Sequence, residues 1–339
     1  MGSEKAGIVY HREGIMGDYD DFDDLEELIS YIKTGKKIMK IGISACSNGH
    51  LPEWQDQITE LEQVFDNMNI ETALSPHIMR TIDEYSGTDK ERAEDLMKFY
   101  TDDAIDAIYD ISGGDLANGV LKYLDYDAIA KTDKTFWGYS DLTTVINAIY
   151  TMTGKPGVLY QVKNMIWSCG DVQKQRFSDY ISGKNYDLFD LKYSFLQGKA
   201  MQGVVVGGNI RCFTKLAGTR YWPDMNGKIL LLEALGGESG QIGTLFNQLD
   251  DIGVFDQISG VLLGTFTNYE KAGPSLTVYD LLKMHISEVL PVACTRDIGH
   301  GHDAKAIMIG KEYSIHADTH NGETFDVYPQ LGSKVGSVI

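Results

Sequence analysis

Short apolar runs alternate with amphipathic stretches along the chain from residue 39 onwards. The apolar runs predict buried strands at 41–46, 70–74, 107–111 and 135–139. The stretches between them repeat apolar side chains every three or four residues, which predicts helices at 55–68, 90–100, 116–123 and 141–150. Strands that alternate with helices are typical of βαβ units. This half of the chain therefore predicts an α/β domain, residues 39–165, built on a mostly parallel sheet.

The pattern loosens from about residue 155 to 200, where polar and aromatic residues mix without a steady period. We interpret 166–200 as a linker between domains. A second block follows, with predicted strands at 203–206, 229–232 and 258–264 and predicted helices at 240–249 and 278–286. Residues 201–339 are thus expected to form a smaller C-terminal α/β domain, rich in short strands.

Residues 1–38 differ from the rest of the chain. Met1-Gly2-Ser3 is typical of an expression-tag remnant. An acidic stretch at 18–24 runs into a segment with Leu25, Leu28, Ile29 and Ile32 on one helical face. The segment is either a docking helix or a poorly ordered extension, and the pattern favours neither.

Composition narrows the classes of partner. The net charge of -19 should repel nucleic acid and anionic lipid, and no apolar run is long enough for a membrane span. The start of the chain does not have the pattern of a signal peptide. Four cysteines stand far apart with no C-x-x-C pair, which is typical of a reducing compartment. We expect a cytoplasmic protein that binds neither nucleic acid nor membranes.

A glycine-rich turn at 112–118 separates a predicted buried strand from a predicted helix. Gly113 and Gly114 would let backbone N–H groups approach a ligand closely, and the following helix adds positive potential. Hydrolases hold a nucleophile beside an oxyanion hole at such turns. The alternative is an ordinary tight turn in which Asp115 caps the helix.

Two residues of the second half are candidates for proton chemistry. Glu233 ends a predicted buried strand, where a carboxylate must be solvated or paired, and it could orient a histidine. His300 lies between glycines in a predicted turn and could exchange a proton near neutral pH. Alternatively, Glu233 is a surface residue, and His300 belongs to a polar turn or, with His302 and Asp303, to a weak metal-binding pattern.

Ser140 follows the strand predicted at 135–139, within the sequence G-Y-S-D. A serine or aspartate at a strand–helix junction is typical of a helix N-cap. The sequence lacks the flanking glycines of the G-x-S-x-G nucleophile motif. The pattern therefore favours a capping role for Ser140 or Asp141.

Together these segments resemble one family, the LD-carboxypeptidase and microcin C self-immunity serine peptidases. The similarity runs in the family's order from about residue 39 to the end. Its motifs are a G-G-x-x-S-like turn at 113–117, L-D-Y at 124–126, G-Y-S-D-L-T at 138–143, G-G-N at 207–209, P-D-x-x-G-x-I-L-x-L-E at 223–233, F-D-x-I-S-G-V-L-L-G at 255–264 and G-H at 299–300.

The resemblance implies a catalytic triad with His300, Glu233 and a serine nucleophile, whose position maps to Ala117. Oxyanion and substrate contacts would come from Gly113, Gly114 and Asn118. The implied substrate is a small murein peptide, cut before a C-terminal D-amino acid, or an aminoacyl-nucleotide. The family is usually homodimeric, and no metal or other cofactor is implied.

Alanine at position 117 would prevent formation of an acyl-enzyme there. Three explanations stay open: an engineered substitution, a natural protein that binds without cleaving, or another attacking group such as Ser112 or a water. The functional hypotheses are accordingly a murein LD-peptidase scaffold, an aminoacyl-nucleotide hydrolase, a non-catalytic ligand-binding protein and, least favoured, a metal hydrolase at His300, His302 and Asp303.

Overall fold

The computed structural model describes residues 39–317, which belong to one compact unit. The helix predicted between residues 25 and 33 lies outside the described residues. The described strands, β1 to β12 in chain order, are Met39–Ser44, Ile70–Leu74, Ala107–Asp110, Thr135–Gly138, Gly157–Leu159, Tyr193–Gln197, Ala200–Asn209, Ile229–Ala234, Gly260–Phe266, Val292–Thr295, Ile307–Ile309 and Glu312–His316.

Nine α-helices lie in the described part of the chain. Helices α1 to α9 are Gln55–Asp66, Asp89–Thr101, Tyr126–Ala130, Thr143–Thr153, Gly170–Ile181, Ile210–Thr214, Ser239–Asp251, Thr267–Lys271 and Val278–Leu282. None of these helices is long and apolar enough to cross a membrane.

The first sheet has the strand order β11-β5-β4-β3-β1-β2. The strands from β5 to β2 pair in parallel, and only β11 at the edge is antiparallel. The carboxyl ends of β1, β3, β4 and β5 therefore meet at one edge of the sheet. Ligand sites of open α/β sheets lie at this edge.

The second sheet has the strand order β12-β7-β8-β9-β10-β6. Its four central strands, β7 to β10, are parallel, whereas the two edge strands are antiparallel. The α/β class with mostly parallel sheets, as the sequence predicts, is confirmed. The central strand Ile229–Ala234 is fully buried, as its unbroken apolar sequence requires.

The segment predicted as a linker forms regular structure, and the second half of the chain adds a strand to the first sheet. The segment 166–200 contains α5 and strand β6, and β6 joins the second sheet. Strand β11, from the second half, joins the first sheet. The helix predicted at 116–123 is instead a pair of 3₁₀ turns, Ala117–Gly119 and Leu121–Tyr123.

Helix α4 fixes the edge of the first sheet against the second sheet. Its apolar residues share one buried cluster with residues of β7 and β8. Its Asn147 side chain donates to the carbonyl of Gly207 at 2.9 Å and accepts from the same residue's N–H at 2.9 Å. The N–H of Asn209 donates to Oγ1 of Thr143 at 3.0 Å. The turn before α4 therefore faces the carboxyl ends of β7 and β8.

Candidate active site

Ser140 lies in the turn between β4 and α4 and has a left-handed backbone, with φ of 54°. A non-glycine residue with positive φ is uncommon and marks a turn held by its surroundings. Ser140 begins a 3₁₀ turn, Ser140–Leu142, that has no side-chain cap. The capping role expected for Ser140 is therefore wrong. A strained strand-to-helix turn of this kind is the geometry of a nucleophile elbow.

The hydroxyl of Ser140 faces an imidazole from the second half of the chain. Its Oγ lies 3.2 Å from Nε2 of His300, and Nδ1 of the same ring lies 2.7 Å from Oε2 of Glu233. The imidazole is 12% exposed, and the carboxylate is fully buried. Serine, histidine and carboxylate are thus connected in the order that nucleophilic catalysis uses.

Two further side chains hold the carboxylate of Glu233. The hydroxyl of Tyr139 donates to Oε2 at 3.0 Å, and Nδ2 of Asn209 donates to Oε1 at 3.0 Å. Burial and the neighbouring Glu233 carboxylate raise the pKa of Tyr139 well above its ordinary value, so this hydroxyl stays protonated. Both carboxylate oxygens of Glu233 therefore have donors, as a buried carboxylate requires.

The loop that carries His300 is held by a glycine. Gly299 has φ of 156°, and a Cβ built on it would lie 1.7 Å from Oγ1 of Thr265 at the end of β9. No side chain fits at position 299 without moving that strand. The glycine therefore fixes the approach of His300 to Glu233.

Ala117 lies in the apolar core, whereas the family resemblance predicts that it occupies the nucleophile position beside His300. Its side chain is fully buried in the apolar core, and its N–H donates to Oδ2 of Asp141 at 2.8 Å. The hydroxyl within reach of the imidazole belongs to Ser140. The glycine turn and the Ser140 turn follow the adjacent strands β3 and β4, so the two turns are neighbours.

The glycine turn lies beside Ser140 and is held by Asn48. The N–H of Asn48 donates to the carbonyl of Gly113 at 3.2 Å, and its Oδ1 accepts from the N–H of Asp115 at 2.9 Å. Gly114 has φ of 121°, and a Cβ there would lie 2.2 Å from the Asn48 side chain. Asn118 is exposed at the rim of this turn.

Asp141 joins the turns around Ser140. Its fully buried Oδ2 accepts from the hydroxyl of Ser47 at 2.6 Å and from the N–H of Ala117 at 2.8 Å. Its Oδ1 lies 2.5 Å from Nζ of Lys215, at the end of α6. One carboxylate thus connects the turns after β1, β3 and β4 to a helix of the second half.

Replacing Asp141 with alanine should destabilise the fold by about 3–5 kcal/mol, because it removes the carboxylate that pairs with Lys215 and leaves two buried donors without their acceptor. Chemical denaturation measures this loss. The matched control is Asp115→Ala, which removes the exposed carboxylate that pairs with Arg211 and should cost less than about 1 kcal/mol. Equal losses for the two variants would contradict the anchoring role.

The other candidates from the sequence have structural partners. The hydroxyl of Ser112 is buried, donates to Asp110 at 2.5 Å and accepts from the N–H of Ser47 at 2.9 Å. Nδ1 of His302 lies 2.8 Å from Oγ of Ser168. Both ring nitrogens of His300 are engaged by Glu233 and Ser140. Within residues 39–317, no group of three or more His, Cys, Asp or Glu side chains is arranged to hold a metal ion.

The sequence missed the roles of three residues in this site. The pattern favours a capping role for Ser140, and it contains Tyr139 and Asn209 only as parts of motifs. A signal is present for all three, because G-Y-S-D at 138–141 and G-G-N at 207–209 both lie at the carboxyl ends of predicted strands. Their convergence on Glu233 and His300 depends on how the two sheets pack.

Sequence comparisons identify proteins similar to this chain. The family model of the LD-carboxypeptidase N-terminal domain matches residues 41–161, and that of the C-terminal domain matches residues 202–315. The probable murein peptide carboxypeptidase of Bacillus subtilis (strain 168) is 30% identical over 240 residues, which cover 68% of this chain and 75% of that protein. The microcin C7 self-immunity protein MccF of Escherichia coli is 28% identical over 271 residues, covering 70% and 78%.

Solved structures share the fold. MccF in complex with glutamyl sulfamoyl guanosine superposes with a TM-score of 0.77 at 21% identity, covering 86% of this chain and 96% of that chain. Muramoyltetrapeptide carboxypeptidase from Oxalobacter formigenes gives a TM-score of 0.72 at 19% identity, covering 84% and 98%. Because the two family models together match more than half of the sequence, the chain belongs to the LD-carboxypeptidase and MccF-like family of serine peptidases.

Proposed function

We propose that this protein is an active serine carboxypeptidase whose nucleophile is Ser140. It cleaves the amide bond before the C-terminal D-amino acid of a murein peptide. The observation that carries the proposal is the 3.2 Å distance between Oγ of Ser140 and Nε2 of His300, with Glu233 at the other ring nitrogen. The inactivity inferred from Ala117 does not follow, because the proposed proton transfer runs from Ser140 to His300 and does not involve Ala117.

In the first step, Oγ of Ser140 attacks the carbonyl carbon while Nε2 of His300 takes the hydroxyl proton. Glu233 accepts the Nδ1–H and stabilises the imidazolium that forms. The protonated ring then donates to the leaving amine, and an acyl-enzyme remains on Ser140. Water, deprotonated by the same imidazole, releases the shortened peptide and restores the serine.

The tetrahedral oxyanion needs N–H donors beside Ser140. We assign this role to the N–H of Asp141, in the first turn after the nucleophile, and to the N–H of Gly114 in the adjacent turn. First-turn N–H groups of a helix have no partner inside it. The left-handed backbone of Gly114, which no other residue adopts easily, supports a close approach of that turn to the ligand. Asn118 is a candidate for substrate contact at the rim.

An aminoacyl-nucleotide is the second candidate substrate. The similarity to MccF, a self-immunity protein, favours it. The neighbouring aromatic residues Tyr221 and Trp222 do not support it. Their rings are already packed, since Tyr221 is buried against Tyr126 and Trp222 lies on Phe213 with ring centroids 4.6 Å apart. We therefore favour the peptide.

A direct assay separates the two substrates. Purified protein is incubated with murein tetrapeptide and, separately, with an aminoacyl-nucleotide, and released D-alanine or amino acid is quantified. We expect release of the terminal D-alanine with kcat/KM at least tenfold higher for the peptide. Faster cleavage of the nucleotide would move the protein to the immunity type, and no turnover of either would overturn the hydrolase proposal.

The homodimer that the resemblance implies remains a prediction, as does the cytoplasmic location. Light scattering after size-exclusion chromatography tests the first. A mass near twice 37.7 kDa is expected, and a mass near 37.7 kDa would contradict it.

A further inference from the structure

Lys163 is a buried lysine whose ammonium group is not paired with an acid. It lies in the 3₁₀ turn Val162–Ile166 that follows β5, and it is 8% exposed. Nζ lies 3.4 Å from Nε2 of His50 and 5.4 Å from the centroid of the Trp167 ring. Among residues 39–317, no carboxylate oxygen lies within 4.0 Å of it. An unpaired charge buried in this way is costly and usually serves a purpose.

The other buried lysine in the described chain shows the contrast. Lys305 is 6% exposed, but its Nζ lies 2.8 Å from Oδ1 of Asp187 and donates to the carbonyl of Asp190 at 2.6 Å. Lys305 therefore has a carboxylate and a carbonyl oxygen as acceptors. Lys163 has one imidazole nitrogen and one aromatic face, which leaves donor capacity for a further acceptor.

The groups around Lys163 keep its environment positively charged at neutral pH. Burial, Lys163 and Arg80 lower the pKa of His50 to about 3, so the imidazole is neutral and offers a lone pair. Burial lowers the pKa of Lys163 to about 8, an effect that Asp110 partly opposes, so the ammonium is mostly charged at pH 7. The site formed by Lys163 and His50 therefore suits an anionic ligand group.

Lys163 belongs to the same edge of the first sheet as Ser140. Its partner His50 follows the turn in which Asn48 holds the glycine turn. On the other side, the Trp167 ring packs on His302 with centroids 4.8 Å apart, two residues beyond His300. Lys163 is thus connected through His50 to the glycine turn and through Trp167 to the loop that carries His300. Both elements lie beside the proposed nucleophile.

We propose that the Lys163 ammonium, together with the half-buried Trp167 ring, binds the free carboxylate of the substrate's terminal residue. The inference rests on the proposed peptidase function and adds the group that makes the enzyme a carboxypeptidase. Lys163 and Ser140 follow the adjacent parallel strands β5 and β4 at the same edge of the first sheet, which is the placement that this role requires. An internal peptide bond offers no such anion and would be bound weakly.

The test compares a murein tetrapeptide acid with its C-terminal carboxamide. For the unmodified protein we expect kcat/KM to be about 10- to 100-fold higher for the acid, since a charge-assisted hydrogen bond is lost with the amide. In Lys163→Met the preference should fall to less than about threefold, mainly through KM. The matched control is Lys134→Met at the opposite end of β4, where Nζ caps backbone carbonyls; it should keep the full preference.

The unmodified protein supplies a second readout that does not depend on folding of a variant. As pH rises through about 8, Lys163 loses its proton, so KM for the acid should rise while KM for the carboxamide stays level. The same preference in Lys163→Met as in the unmodified protein, or parallel pH profiles for both peptides, would overturn the inference.

Calorimetry on the Ser140→Ala protein separates this inference from the proposed reaction. If the acid binds at least tenfold more tightly than the carboxamide and Lys163→Met removes the difference, the carboxylate site stands even if no peptide is hydrolysed. If peptide is hydrolysed but both forms bind equally, the carboxylate site is wrong and the hydrolase stands. No binding of the acid at millimolar concentration overturns the site.

Discussion

Ser140→Ala is expected to lower kcat for the tetrapeptide by at least about 10⁴-fold, with little change in substrate affinity. The substitution removes the attacking oxygen and leaves only the binding and oxyanion contributions. Its stability cost should be small, because within residues 39–317 the hydroxyl hydrogen-bonds only to His300 and does not cap the helix. Single-turnover kinetics measures the chemical step, and calorimetry measures the affinity.

The matched variant is Ala117→Ser. Because Ala117 is fully buried in apolar surroundings, a hydroxyl there should destabilise the protein by about 1–3 kcal/mol and should not raise turnover. A Ser140→Ala protein that retains more than about a hundredth of the activity would contradict the assignment. So would an increase in turnover on placing serine at position 117.

Glu233→Gln should lower kcat by about 10³- to 10⁴-fold. The carboxylate accepts from Nδ1 of His300 and keeps Nε2 able to take the serine proton; an amide of the same shape can donate to Nδ1 and favour the wrong tautomer. The lost negative charge also no longer stabilises the imidazolium. The loss should appear in kcat, with KM nearly unchanged.

Tyr139→Phe is the control for Glu233→Gln. It removes one hydrogen bond to the same carboxylate but keeps the charge, so kcat should fall by about tenfold or less. Thermal unfolding of each variant shows whether lost activity reflects lost structure. A fall in kcat of less than tenfold for folded Glu233→Gln would contradict the role of Glu233.

Much of the first sheet and half of the site could be predicted from the sequence. Strands β1 to β4 are short apolar runs between polar turns, and such a local pattern needs no tertiary information. Glu233 and His300 were predicted because a carboxylate at the end of a buried strand and a histidine between glycines are unusual in themselves. The structure places their side chains 2.7 Å apart.

The proposed nucleophile, Ser140, could not be predicted in the same way. The turns after β3 and β4 are neighbours, and both combine small residues with a following helical segment. Which turn faces His300 is decided by the packing of α4 against β7, a contact between residues more than 60 positions apart, such as Asn209 and Thr143. The positive φ of Ser140 is likewise a consequence of the packed structure, since serine has no local preference for it.

The linker prediction differs from the structure for a related reason. Strand β6 alternates buried and exposed residues at the edge of a sheet, so it has no continuous apolar run. Strand β11 has three residues and pairs with β5 across a separation of about 150 positions. Edge strands this short depend on their partners for stability and leave a weak trace in the sequence.

The identity of the attacking residue can be measured directly. The protein is mixed with tetrapeptide or a related ester, quenched in acid within the first turnover, digested and mapped by mass spectrometry. The account predicts an acyl adduct on the peptide that contains Ser140. An adduct on a different residue, or hydrolysis at full rate by a protein that lacks the Ser140 hydroxyl, would contradict it.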